Sequence, residues 1–175
     1  MIRLIGIDVD GTLVGTGGFI HPRIWEMTAR ACRMGIHLAL CSGRPGFGVA
    51  LEYAQRLESG GWHIFQNGAS IVSLATGQSR SVPIPTSWKH ALIERARSTG
   101  ETLELYSDTA YVAESTSEWA RDHAGLLGIP FDPRPLESLT QPVVRAQWLL
   151  TRDRAREFTA LPHPGLEVAQ SSSPL

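Results

Sequence analysis

Ile2 to Val9 is a short, nearly continuous apolar run rich in β-branched residues, and that pattern predicts a central parallel strand buried on both faces. Pro22 then opens a predicted helix at a position where its missing N–H costs nothing. Ile24, Met27, Ala31 and Met34 recur at helical spacing, and Gly35 supplies the stop. Ile36 to Cys41 is a second apolar strand. After Ser42-Gly43-Arg44-Pro45 a further helix carries Phe47, Leu51, Ala54 and Leu57 on one face and ends at Gly60-Gly61. Trp62 to Gln66 is a third strand. Strand, helix, strand, helix, strand at these intervals implies right-handed crossovers and an α/β fold with a parallel, doubly wound sheet. Ligands of such sheets bind beyond the carboxyl ends of the strands. Three polar clusters stand there: Asp8/Asp10, Ser42-Gly43-Arg44 and Asn67-Gly68.

From about Ala69 the pattern changes. Ile71 to Leu74 and Ser81 to Ile84 flank Ala75-Thr76-Gly77-Gln78 and predict a hairpin. Thr86 or Ser87 caps a helix running to about Ser98. Leu103 to Tyr106 and Ala110 to Ala113 flank Ser107-Asp108-Thr109, a second hairpin signal. A helix follows from Thr116 to Leu127, stopped by Gly128 and Pro130, and the proline-rich stretch 130–142 is a loop. Val144 to Leu150 reads as a strand, Asp153 to Ala160 as a short helix and Leu166 to Ala169 as a last strand. Hairpins alternating with helices describe an α+β module distinct from the parallel core. The predicted organisation is therefore a core over 1–81 and an α+β module over 82–175. No internal repeat is visible, and Ser171-Ser172-Ser173-Pro174 is the one low-complexity patch.

Bulk composition narrows the function. The chain has 175 residues, is 42% hydrophobic and 19% charged, and carries a formal net charge of −1. These values suit a soluble globular protein without a global basic field, so neither nucleic acid nor an anionic membrane is an expected partner. No apolar stretch approaches membrane-spanning length, and the N-terminal run is too short for a signal peptide. Cys32 and Cys41 lack C-x-x-C spacing and read as reduced, small core hydrophobes, which fits a cytoplasmic protein. The six histidines form no metal-binding pattern. Trp88, Trp119 and Trp148 read as core, and Arg152, Arg154 and Arg156 as a solvated helix face.

Candidate chemistry centres on Asp8-Val9-Asp10-Gly11-Thr12. A carboxylate at the end of a buried strand can attack phosphorus as a nucleophile. Two anions approach only if the phosphate charge is neutralised, which Mg²⁺ does when held by one or two carboxylates and phosphate oxygens. A second carboxylate two residues on can protonate the leaving oxygen and then activate water. Gly11 lets the backbone turn sharply with N–H groups facing phosphoryl oxygens, and Thr12 can tie the turn down.

Asp8-Val9-Asp10-Gly11-Thr12-Leu13 resembles the first motif of the haloacid dehalogenase superfamily of phosphohydrolases. Ser42-Gly43-Arg44 resembles its second motif, and Asn67-Gly68-Ala69 the turn that precedes the large cap in the Cof-like, sugar-phosphatase branch. The resemblance is strong over 1–69 and holds by pattern afterwards. It implies a Rossmann-like core followed by an α+β cap. Asp8 is then the nucleophile and a Mg²⁺ ligand, and Asp10 is the acid/base whose backbone carbonyl also binds metal. Ser42 and Gly43 hold the phosphoryl group. Arg44 reaches the substrate or is a plain surface arginine, and Asn67 lines the site or serves as a left-handed turn residue. The substrate class implied is a small phosphorylated metabolite, with sugar phosphates as a candidate.

The family pattern also calls for a third-motif lysine and a glycine-aspartate cluster after the cap. Lys89 is the sole lysine and falls in a predicted cap helix, and no Gly-Asp pair with a following acid stands past residue 130. The expectation is a chain truncated before these motifs, with an open sheet edge and a tendency to self-associate. The rival reading is a non-turnover Mg²⁺/phosphate-binding or phospho-accepting module.

Overall fold

The computed structural model describes residues 2–15, 17–161 and 163–170. β1 (Leu4–Ile7) pairs in parallel with β2 (His37–Leu40), Leu4 opposite His37 and Ile7 opposite Leu40. Between them runs α1 (Pro22–Arg33), with His21 Nδ1 accepting the Arg23 N–H at its start. Arg30 and Arg33 in its last turn complement the helix dipole. α2 (Val49–Glu58) follows β2 and buries Ala50, Ala54 and Leu57. The Glu58 carboxylate at its end accepts the Leu38 N–H at 2.6 Å, tying helix to strand. β3 (Trp62–Phe65) runs beside β2 through the parallel bridge Cys41–Ile64, and β4 (Ser70–Ser73) folds back antiparallel on β3. Val9, Leu13, Leu38, Leu40, Ala54, Leu57 and Phe65 form one apolar cluster beneath these elements.

A second cluster, centred on Leu92, Ile93, Leu103, Leu105, Val112 and Leu136, packs on one face of an antiparallel sheet. α3 (Thr86–Thr99) leads into β5 (Thr102–Tyr106), the middle strand, with β6 (Tyr111–Ala113) and β7 (Arg145–Leu149) on either side. α4 (Glu118–Leu127) starts with Ser117 Oγ accepting the Ala120 N–H and ends at left-handed Gly128. α5 (Arg152–Thr159) follows β7. The turn between β5 and β6 is pinned to the first sheet by Asp108. Its Oδ1 accepts from Ser70 Oγ (2.5 Å) and Ser81 Oγ (2.6 Å), and its Oδ2 from Ser79 Oγ (2.6 Å).

The main departures from the sequence pattern have local physical reasons. β1 is not buried on both faces: Leu4 is 62% exposed and Ile2 67%, because β2 is the strand hydrogen-bonded to it among the described residues. Met27 and Met34 are exposed, and α1 turns Ile24, Trp25, Thr28, Ala31 and Cys32 inward instead. Phe47 lies before α2 and stacks on Tyr106 of β5 at 6.3 Å. Strand Ile71–Leu74 takes β3 as its regular partner, while residues 79–82 return along its other edge through a Val72–Ser79 bridge and the Arg80 and Val82 N–H groups. Leu166 to Ala169 forms no strand; Leu166 packs on the second apolar cluster. The Ser171–Pro174 patch lies outside the described residues. Trp88 and Trp148 pack on the second cluster, and Arg152, Arg154 and Arg156 are exposed, Arg154 pairing with Glu101 and Glu157.

Candidate active site

The chain leaves β1 through a tight loop that carries two carboxylates, Asp8 and Asp10, two positions apart. Leu13 N–H donates to Asp8 O (3.0 Å), Val14 N–H to Val9 O (2.8 Å) and Gly11 N–H to Val14 O (3.0 Å). Gly11 sits at φ +80°, where a side chain would be strained, so the turn needs glycine there. The turn itself consumes the Gly11 N–H. Thr12 gives its N–H to Val9 O at 3.3 Å and its side chain stands exposed.

Beyond the ends of β1, β2 and β3 lies a cavity of about 270 Å³ lined by Asp8, Cys41, Ser42, Gly43, Ile64, Asn67 and Gly68. The topology thus brings four of the sequence-predicted residues, Asp8, Ser42, Gly43 and Asn67, to one place. Ser42 is buried, and its Oγ accepts the Arg44 N–H at 3.1 Å. Burial pushes the Cys41 thiol up.

The Gln66–Gly68 turn is locally unfavourable. Gln66 (φ 54°) and Asn67 (φ 56°) are both left-handed without being glycine, at roughly 1–3 kcal/mol each. Partners on the neighbouring loop hold them: Gln66 N–H donates to Arg44 O (3.0 Å) and Asn67 N–H to Ser42 O (3.1 Å). Gln66 Nε2 also reaches Ser107 O at 3.0 Å, from the second module. The two readings of Asn67 therefore coincide, since it is a left-handed turn residue and it lines the cavity.

Asp10 and Arg44 stand outside the cavity lining and grip each other. Arg44 Nε donates to Asp10 Oδ2 (3.0 Å) and its Nη2 to Oδ1 (2.8 Å), a bidentate pair. These hydrogen bonds hold the Asp10 carboxyl below its usual range, against a smaller opposing push from burial. Arg44 Nη1 also donates to Leu126 O in α4 at 3.4 Å. The arginine is a bridge between Asp10 and α4.

Among the described residues no group of three His, Cys, Asp or Glu side chains converges on one point. Asp8 supplies hard carboxylate oxygens at the cavity, which suit a Mg²⁺ ion that keeps several waters and takes phosphate oxygens as ligands. Lys89 is remote from this chemistry, its Nζ donating to Leu139 O at 2.6 Å. No helix is long and apolar enough to cross a membrane among the described residues.

Sequence reasoning missed the residues that the second module sends to the loop after β2. Arg145 at the start of β7 donates from Nη1 to Gly43 O at 2.6 Å. Its signal was a lone arginine inside an apolar strand pattern, which by itself says nothing about a partner 102 positions away.

The family model described as haloacid dehalogenase-like hydrolase matches residues 5–128. A stretch of 80 residues is 32% identical to "Putative phosphatase YxeH" of Bacillus subtilis, covering 45% of this chain and 30% of that protein. A Streptococcus pyogenes protein, "Putative phosphatase M6_Spy0533", is 30% identical over 79 residues, 29% of its length. Among solved structures, a haloacid dehalogenase-like hydrolase from Bacteroides thetaiotaomicron superposes with a TM-score of 0.78 at 26% identity, over 91% of this chain and 61% of that one. A HAD subclass IIB sugar phosphatase shares the fold with a TM-score of 0.72 at 19% identity, over 90% and 62% of the two chains. The chain thus spans about three fifths of these solved relatives, and its matched stretch about 30% of the curated ones. With a family model matched from β1 through α4 and a fold shared over nine tenths of its length, this chain belongs to the haloacid dehalogenase-like hydrolases.

Proposed function

We propose that the chain carries the nucleophile-bearing part of a Mg²⁺-dependent phosphatase for small phosphorylated metabolites, sugar phosphates among them. The observation that carries this reading is the cavity at the strand ends, where Asp8 faces the loop of Ser42 and Gly43. Asp8 attacks phosphorus, the bond to the leaving oxygen breaks, and Asp10 gives that oxygen its proton. Asp10 then takes a proton from water, which attacks the same phosphorus and releases phosphate from Asp8. Ser42 and Gly43 hold the phosphoryl oxygens meanwhile, with Gly11 and Thr12 shaping the turn beside them. Mg²⁺, held by the Asp8 carboxylate and the Asp10 backbone carbonyl, supplies charge neutralisation when bound. For Asp10 to carry a proton, Arg44 has to let go of it, so we assign Arg44 a role in timing the acid step.

We place the core over 1–81 and the cap over 82–175, with Asp108 and its three serines at the junction. The cavity volume suits a small substrate rather than a nucleic acid or a membrane surface. Two free cysteines fit a cytoplasmic setting. For the 175-residue stretch taken alone, a second reading is favoured by the bound position of Lys89 and by Asp8 being the one carboxylate among the described residues lining the cavity. In it the stretch binds Mg²⁺ and phosphate, or accepts a phosphoryl group, without turnover. Its exposed Ile2, Leu4 and Ile5 then favour self-association.

The test is hydrolysis of a generic aryl phosphate by this chain and by the product of its full gene. Chelation should abolish the activity of the full product, Mg²⁺ restore it and Ca²⁺ inhibit it. Activity indifferent to a strong chelator refutes the reading, and equal kcat/KM for the two chains refutes the second one.

A further inference from the structure

A buried polar chain crosses the cap sheet and ends on the loop that holds Ser42. It begins at Glu104 of β5, a carboxylate with no exposed surface. Tyr106 Oη donates to it at 2.5 Å and Tyr111 Oη at 3.0 Å, and His123 Nδ1 of α4 lies 2.9 Å from its Oε2. Gln147, the cross-strand partner of Glu104 on β7, continues the line with its Nε2 3.3 Å from His123 Nε2. The Gln147 Oε1 accepts from Arg145 Nη2. Arg145 Nη1 finally donates to Gly43 O at 2.6 Å.

One assignment satisfies every member. Because Arg145 takes the oxygen of Gln147, the amide NH₂ faces His123 Nε2, which must accept, and the imidazole proton lies on Nδ1 toward Glu104. The last link is a peptide plane. Gly43 C=O and Arg44 N–H belong to one amide, and that N–H donates to Ser42 Oγ at 3.1 Å. A guanidinium fixed at the carbonyl end therefore orients the hydroxyl bound at the other end. The Arg145 guanidinium is itself confined, 5.3 Å from the Tyr106 ring, which also stacks on Phe47 of the same loop. A buried carboxylate is an inefficient way to stabilise a sheet, since apolar residues of similar volume do as well or better. What it provides is a unique direction for the groups it binds.

We propose that Arg145 is a positioning residue for the phosphoryl-binding loop, fixing the Gly43–Arg44 peptide and through it the Ser42 hydroxyl, with Glu104, His123 and Gln147 setting its orientation. This rests on the assignment of Ser42 and Gly43 as phosphoryl ligands. The cap thereby acts on the transferring group itself as well as on whatever the leaving group is.

The experiment uses the product of the full gene with Arg145→Met, Arg145→Lys and Gln147→Met. Three quantities are read: the ¹⁵N–¹H resonances of Gly43 and Arg44, the affinity for inorganic phosphate, and kcat and KM for an aryl phosphate. Arg145→Met should displace the Arg44 amide resonance, weaken phosphate binding and lower kcat by about 10–100-fold, the range for losing one charged hydrogen bond. KM for the aryl phosphate should change far less. Arg145→Lys should recover part of kcat, and Gln147→Met should act in the same direction more weakly. An unmoved Arg44 amide with wild-type kcat in Arg145→Met overturns the proposal. If that variant does not fold, the same result in Gln147→Met overturns it. Should the wild-type protein hydrolyse no ester, the phosphatase reading fails, while the amide resonances and phosphate affinity still decide the relay.

Discussion

Gly48→Ala is the sharpest perturbation of the contact between α4 and the loop after β2. Gly48 has φ 59° and ψ −143°, a conformation that L side chains rarely adopt. A Cβ built there falls 2.3 Å from Leu127 O, 3.0 Å from Ile129 Cγ2 and 3.2 Å from Gly128 O. Backbone atoms cannot rotate aside, so the end of α4 must retreat by about 0.7 Å to restore the 3.0 Å below which such contacts essentially do not occur. Dihedral strain contributes about 1–3 kcal/mol and overpacking a similar amount. The expected loss is about 4 kcal/mol, or roughly 8–16 °C in Tm for a chain of this length. Chemical denaturation and a thermal melt measure it directly. Gly125→Ala is the control, since it lies within α4 with nothing inside 4 Å of a new Cβ, and it should stabilise by about 0.5–1 kcal/mol. A Gly48→Ala protein within about 1 kcal/mol of the parent would refute the claim that α4 and the loop are locked together.

Arg44→Met should raise the Asp10 pKa toward the ordinary carboxylate range, because the hydrogen bonds that hold it down are gone. The limb of the pH–kcat/KM profile that needs protonated Asp10 then moves to higher pH; a limb that stays put or moves down contradicts the timing role. The same change should cost no more than about 1 kcal/mol of stability, since the Asp10 side chain is 61% exposed. Burial lowers the pKa of His63, whose Nδ1 accepts the Leu40 N–H (3.0 Å) and whose Nε2 faces Glu58 O (2.9 Å). The unfolded chain therefore binds more protons than the folded one just below the ordinary histidine range. Stability falls as pH drops from about 7 toward 5, with a slope of at most about 1.4 kcal/mol per pH unit from this group. His63→Asn should flatten that dependence in denaturation curves taken at several pH values, and an unchanged slope would assign it elsewhere.

Element type was largely legible in the sequence because apolar spacing follows each element's own geometry. Burial was less so, because it depends on what lies across from a residue. The apolar run of β1 implies cover on both faces, yet Leu4 and Ile2 stand open where, among the described residues, no strand pairs beyond β1. Met27 and Met34 fit the helical period of α1 as well as Trp25 and Cys32 do, and the position of α2 and β2 decides between them. Phe47 continues the spacing of α2 but is drawn out of it by Tyr106, 59 positions later.

The candidate site divides the same way. Asp8, Ser42 and Gly43 stand at strand ends, and the parallel topology brings them to one cavity. Arg44 was ambiguous because its partners, Asp10 and Leu126, belong to other elements. Glu104 sits in the alternation of Thr102 to Tyr106 where a solvent-facing residue is expected, and its burial depends on the cross-strand Gln147 and on His123 of α4.

The most direct measurement of all is a rapid quench of the full gene product with a labelled phosphate ester, followed by mapping of the bound phosphoryl group. The phosphoryl group should be found on Asp8, accumulate in Asp10→Asn when the leaving group is good, and vanish in Asp8→Asn together with hydrolysis. Wild-type turnover by Asp8→Asn, or a phosphoryl group mapped to any other residue, would contradict the assignment of Asp8 as the nucleophile.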